Sequence, residues 1–176
     1  MTRCILRIFS IIMAYSLYDI FMRNEDFIKR RLIDESQNLL DAEFYFPVFL
    51  LISQGIETLG GFLDKKPLGA KLQSKKRFHL AIDQLFENKY QELTGRDWLY
   101  KQFRCNMSHL VTTGGFIMLA TRKDNKGAHL EVIEGQRIFV VEKLVEDFHK
   151  ACQTLILRLG KGEIKQKQMA LNEITL

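Results

Sequence analysis

A mainly α-helical bundle of four to five helices, with a small β-hairpin or meander before the last helix, is the fold this sequence predicts. Three observations point to it. Apolar residues recur at helical spacing over long stretches. Only two prolines occur, Pro47 and Pro67, so the periodic runs are seldom interrupted. Short apolar segments separated by tight turns are confined to residues 116–141, between Gly114-Gly115 and a final periodic run. With 176 residues the chain suits one domain with a sizeable core. The expected boundaries are an N-terminal extension over 1–14, a helical domain over 15–160 and a flexible tail over 161–176.

The elements follow in order. Residues 15–40 read as a long amphipathic helix, with Leu17, Ile20, Phe21, Phe27, Ile28, Leu32, Ile33 and Leu39 on one face and a break or cap at Asn24-Glu-Asp26. Residues 43–63 are apolar nearly all round, which marks a central helix, and Pro47 suits its first turn. Gly60-Gly61 and the Lys65–Gly69 stretch are expected to end it. Residues 74–93 form a third helix that opens on Ser74, Lys75, Lys76 and Arg77, a charge of the wrong sign for a helix N-terminus. Thr94-Gly95 breaks the run, and Asp97 is placed to cap a fourth helix reaching His109 and about Val111. Strands are expected at 116–121, 128–133 and 137–141, with a tight turn at Glu134-Gly135-Gln136. Leu144, Val145, Phe148, Cys152, Leu155, Ile156 and Leu159 then form the last helix, ended by Gly160-Lys-Gly162.

Composition narrows the function classes. Hydrophobic residues make up 47% and charged residues 27%, as in a soluble globular domain. A net charge of +5 permits contact with nucleic acid or an anionic membrane surface without requiring either. Cys4, Cys105 and Cys152 are odd in number and lack metal-ligand spacing, which fits a reducing cytoplasm. No Walker loop, nucleophile elbow or dinucleotide fingerprint occurs, and no metal or other cofactor is expected. The segment MTRCILRIFSIIMAYS reads as a frayed or docked extension, or as an upstream stretch with Met13 as the start. A signal peptide or a membrane-surface helix are the alternatives there. No window of 18 apolar residues occurs, so no stable membrane insertion is expected.

The fourth helix carries the chemistry. Arg104, Asn106, Ser108 and His109 place four polar groups within six positions of an otherwise apolar segment. An arginine can clamp a phosphate, and a histidine can move a proton near neutral pH. Together they are the groups that cleave RNA without a metal. Positions five apart differ by roughly 140° around a helix, so Arg104 and His109 do not share a face, whereas Asn106 and His109 do. A dimer pairing two such helices would bring the groups together. The other reading of the same residues is structural: Arg104 pairs with Glu57 of the central helix, and His109 is a satisfied core histidine. Lys71, Lys75, Lys76 and Arg77, beside Phe78, form the best basic patch for an RNA backbone. His79, His129 and His149 have no metal-type partners and read as solvated or satisfied.

The stretch FRCNMSH resembles the Arg-x(4–6)-His motif of the HEPN superfamily (higher eukaryote and prokaryote nucleotide-binding). A helix with an internal Ile56-Glu57, a further helix and then the Arg–His helix is similar to HEPN bundles. The likeness spans roughly residues 15–160 in layout and about seven residues in motif. It implies a helical bundle that dimerises with its Arg–His helices facing each other. It also implies a metal-independent endoribonuclease of a toxin–antitoxin or defence system, or a catalytically silent module that binds a nucleotide or protein. Arg104 and His109 would be the catalytic pair, with Asn106 assisting and Glu57 and Ser108 in support. RNA, a second copy of the chain and an antitoxin or other protein are the implied partners. One position departs from the common form: Cys105 follows the arginine where a polar residue, often Asn, stands, and Asn106 comes one later.

Overall fold

The structure, a computed structural model, describes residues 22–110, 112–113, 115–124 and 128–168. The N-terminal extension, the first part of the expected first helix, Cys4 and Val111 lie outside these residues. Helix α1 (24–41) is continuous but not uniform: α-helical Asn24–Phe27 and Glu35–Asp41 flank a π-helical stretch, Ile28–Asp34. Helix α2 is Tyr45–Leu63 with Pro47 in its first turn. Helix α3 is Ser74–Leu85 and the short α4 is Asn88–Gln91, followed by a 3-10 stretch, Glu92–Asp97. Helix α5 (98–109) contains a π-helical turn, Tyr100–Cys105, and the α-helical Asn106–His109. Strands β1 (Ile117–Ala120), β2 (Val132–Ile133) and β3 (Gln136–Val140) precede α6, Val141–Gly160. The mainly helical bundle with a small sheet before the last helix is therefore present.

The sheet takes the hairpin alternative, not the meander. Strand order is β1-β3-β2. β2 and β3 pair antiparallel, and β1 pairs parallel with β3, Ile117 opposite Arg137 and Ala120 opposite Val140. The hairpin turn places Glu134 at φ 50° and Gly135 at φ 79°. Two successive positive φ values define a type I′ turn, whose twist matches that of paired strands.

Helix α2 is central because it buries residues around most of its circumference: Val48, Phe49, Ile52, Ile56, Leu59 and Phe62 are each 0–1% exposed. With Phe78 of α3, Phe103 of α5, Phe139 of β3 and Phe148 of α6 they form one apolar core. Each such side chain contributes about 1.5–3 kcal/mol by leaving water. By length and apolar content alone α2 is also long enough to cross a membrane (19 residues, mean hydropathy 1.4). Within the bundle 56% of it is buried, as the core helix of a packed domain requires.

Several boundaries differ from expectation, each for a physical reason. Gly60-Gly61 do not end α2. They lie inside it, because α3 crosses there so closely that a Cβ on Gly60 would sit 1.7 Å from the Arg77 carbonyl oxygen. The third helix stops at Leu85, eight residues early, and Gln91 caps the break by donating to the Asp83 and Phe86 carbonyls. Asp97 does not cap α5. Its backbone is left-handed (φ 63°), and its carboxylate faces Lys75 and His79 of α3.

Residues 161–168, expected as part of a loose tail, fold back onto the bundle. Ile164 packs on the core. The buried Asn24 side chain reads the backbone of Lys167 on both sides, donating to its carbonyl at 2.8 Å and accepting its N–H at 2.6 Å. Lys167 Nζ donates to the carbonyls of Gly61 and Lys66, each at 2.6 Å, and of Asp64. Three N–H bonds thus meet three oxygens at the end of α2, where unpaired carbonyls favour a cation. Lys167→Met is expected to lose about 1.5–3 kcal/mol of stability, the range for hydrogen bonds to a charged group. It should also speed protease cleavage after Gly160. Unchanged melting and cleavage would show that the tail adds nothing.

Candidate functional site

The sequence motif sits where α5 packs against α2 and α3. Leu99, Phe103 and Met107 are 0–1% exposed and anchor α5 to the core, which turns Arg104 toward α2. The π-helical turn Tyr100–Cys105 carries Arg104 itself. Such turns widen the helix locally and recur at functional sites.

Arg104 meets Glu57. Nε donates to Glu57 Oε2 at 2.7 Å and Nη2 approaches the same oxygen at 2.6 Å. Both side chains are mostly covered, at 14% and 22% exposure. The same carboxylate oxygen accepts a second hydrogen bond, from Ser74 Oγ at 2.6 Å, and Ser74 Oγ in turn accepts from the Tyr100 hydroxyl at 3.0 Å. The Arg104 guanidinium carbon lies 6.0 Å from the Tyr100 ring centre, within cation–π range. Burial pushes the Tyr100 hydroxyl above the usual phenol range, which keeps its proton in place as a donor. Ser108 Oγ donates to the Arg104 carbonyl at 2.7 Å and accepts from Gln54 Nε2 of α2. Glu57 and Ser108, expected to support Arg104, both reach it.

His109 goes elsewhere. It is the last residue of α5, its side chain is exposed, and it makes no hydrogen bond or ion pair among the described residues. The core-histidine alternative is therefore excluded. Leu110 beside it is 64% exposed. Asn106 donates to Gln102 at 3.1 Å, one turn back, and not to His109. Within one chain Arg104 and His109 face different surroundings, as their five-residue spacing requires.

The basic patch is corrected in part. Arg77 is only 5% exposed and is a structural staple: Nε donates to Asp64 at 3.2 Å, and Nη1 and Nη2 donate to the Leu68 and Pro67 carbonyls at 2.6 Å each. It closes the loop after α2, so it has no face left for a phosphate. Lys76 pairs with Asp64 at 3.0 Å and Lys75 with Asp97 at 2.7 Å, both from exposed positions. Burial pushes the Asp64 carboxyl up, but Lys76 and Arg77 outweigh it and hold it at about 2. These acidic partners explain the positive opening of α3: the charge answers Asp64 and Asp97, not the helix dipole. Lys71 remains exposed.

Of the other histidines, His129 and His149 are hydrogen-bonded, and His79 has only an ion-pair neighbour. His79 Nε2 stands 3.1 Å from Asp97 Oδ1 in ion-pair geometry, without an aligned hydrogen bond. His149 Nε2 contacts Ser36 Oγ at 2.8 Å. His129 accepts from the Val140 N–H at Nδ1 (3.0 Å), so Nε2 carries its proton and faces the Tyr90 hydroxyl at 2.8 Å. Tyr90 then donates to Asp147 at 3.0 Å. No group of three or more His, Cys, Asp or Glu side chains with metal-holding geometry occurs among the described residues.

Ser74, Tyr100 and Gln54 escape a reading of the motif alone. Tyr100 stands four residues before Arg104, and Gln54 three before Glu57, so helical spacing puts each pair on one face. Ser74 is brought in only by the crossing of α2 and α3. Comparison of the chain with protein-family models, curated proteins and solved structures finds no match.

Proposed function

We propose that this chain is a HEPN-like module that acts on RNA and cuts it without a metal. The observation that carries the reading is an exposed His109, without a hydrogen bond or ion pair among the described residues, on the same helix as an arginine fixed by Glu57 and by the π-helical turn. An arginine held by a supporting carboxylate keeps one geometry before substrate arrives, which lowers the cost of ordering it in the transition state. Nη1 makes no hydrogen bond among the described residues, so the fork keeps a donor for a phosphate oxygen. His109 would take the proton from a ribose 2′-OH. The 2′-oxygen then attacks the adjacent phosphorus, the bond to the 5′-oxygen breaks, and a 2′,3′-cyclic phosphate remains. A second copy, joined through a two-fold axis, would supply the second histidine to protonate the leaving 5′-oxygen.

The second reading is a catalytically silent helical module that binds a nucleotide or protein. The Arg104–Glu57 pair favours it, because Glu57 neutralises a guanidinium that is only 14% exposed. Cleavage of total RNA in EDTA separates the two. Wild type should cut, and His109→Ala should lose about 100-fold or more, the usual range for a proton-transfer group. A well-folded wild-type protein that leaves RNA intact would shift the assignment to the silent module.

A further inference from the structure

Glu57 Oε2 collects two lines of donors. Arg104 reaches it directly through Nε (2.7 Å) and Nη2 (2.6 Å). From the other side Tyr100 donates to Ser74, and Ser74 donates to the same oxygen. Every proton in the second line is assigned. Glu57 can only accept, so the Ser74 proton points to it, and the Ser74 lone pair then takes the Tyr100 proton. The line joins three helices, with Glu57 on α2, Ser74 at the first position of α3, and Tyr100 at the start of the π-helical turn on α5.

We propose that Ser74 and Tyr100 are positioning residues for Arg104, acting through Glu57. This rests on the reading that Arg104 meets the RNA phosphate. A carboxylate held by one arginine alone can rotate about its last torsion and let the fork swing with it, since that torsion is broad and roughly two-fold. A hydroxyl donor from a second helix on the same oxygen removes that freedom. Tyr100 adds a second restraint, because its ring lies within cation–π range of the guanidinium it helps to orient. One mobile group, the arginine side chain, is thereby fixed by contacts from α2, α3 and α5 before any substrate binds.

The test uses the full chain and the variants Ser74→Ala, Ser74→Thr and Tyr100→Phe. Tyr100→Phe keeps the ring that packs edge-on against Phe78 at 5.6 Å, so its fold is preserved. Two readouts are taken. The first is the Arg104 Nε–H signal in a nitrogen–proton NMR spectrum, assigned by its loss in Arg104→Lys. In wild type it should be shifted and slow to exchange. Ser74→Ala should return it toward the free-arginine position, Tyr100→Phe should move it part of the way, and Ser74→Thr should restore it. The second is RNA cleavage in EDTA, where kcat should fall about tenfold in Ser74→Ala with KM unchanged, and recover in Ser74→Thr. An Nε–H signal that is free-like in wild type, or that Ser74→Ala leaves unmoved, overturns the proposal whatever the cleavage result. Wild type that never cuts RNA while its signal responds as stated overturns the nuclease reading and upholds the positioning of Arg104.

Discussion

Gly60→Ala is expected to destabilise the protein by about 3 kcal/mol or more, the upper range for overpacking a closed interface. Alanine is the better helix former by about 1 kcal/mol, so propensity alone predicts the opposite sign. The collision decides. The new Cβ would lie 1.7 Å from the Arg77 carbonyl oxygen and 2.4 Å from its carbonyl carbon. Those are backbone atoms of α3 and no rotamer change moves them, so the two helices must separate. Separation would also pull Ser74 and Arg77 away from Glu57 and Asp64, which lie on either side of the crossing. Gly160→Ala is the matched comparison. It sits at the end of α6 with nothing within 4 Å of its would-be Cβ, and it should be neutral or stabilising by up to about 1 kcal/mol. Chemical denaturation of both variants checks the pair. A Gly60→Ala midpoint within error of wild type would mean that α2 and α3 do not cross as closely as described.

The same crossing shows what sequence reading can and cannot reach. The amphipathic runs place α1, α2, α3, α5 and α6 because burial of a stripe leaves its period in the sequence. Gly60-Gly61 carries two meanings, helix end and close approach, and only the neighbour's position separates them. Within the site, Arg104 with Glu57 was open to expectation because a charged residue inside each of two apolar helices needs a partner. Ser74 was not, since a serine at a helix start is ordinary, and its role comes from where α3 happens to cross. Arg77 misleads in the other direction. Its neighbours Lys75 and Lys76 make it look like part of a surface patch, yet its backbone lies against Gly60 and its side chain is almost wholly buried. The π-helical turns in α1 and α5 have no period of their own in sequence and could not be anticipated.

Asp147→Ala is expected to cost about 3 kcal/mol, the low end of the range for breaking a buried charged pair. Asp147 is 4% exposed on α6. It accepts from Tyr90 at 3.0 Å, pairs with Lys89 at 2.8 Å, and has Lys143 at 3.3 Å and Lys150 at 3.6 Å near Oδ1. Burial pushes its carboxyl up, but the hydrogen bond and charge of Lys89 outweigh this and hold it below the usual carboxylate range. Removing it leaves the Tyr90 O–H proton without its acceptor in the core, whereas Lys89, 35% exposed, can turn to water, which keeps the loss at the low end. The network also sets an acid limit. Burial lowers His129 to about 4 against an ordinary value of 6.5, with Asp147 opposing the shift. Protonation must break the Val140 N–H bond to Nδ1, so the unfolded chain binds the extra proton first. Stability from this group is full above pH 6.5 and is lost as pH falls from 6.5 toward 4, by about 3 kcal/mol in all. His149, lowered by its own burial, acts in the same direction, while Asp64 adds its loss only below pH 3.8. Denaturation of wild type and His129→Gln at pH 7.5, 5.5 and 4.5 checks this. The glutamine can still accept from Val140 and donate to Tyr90, so the variant should fold, start less stable and lose most of the slope across that window. An unchanged slope would place the acid sensitivity outside the Tyr90–His129–Asp147 chain.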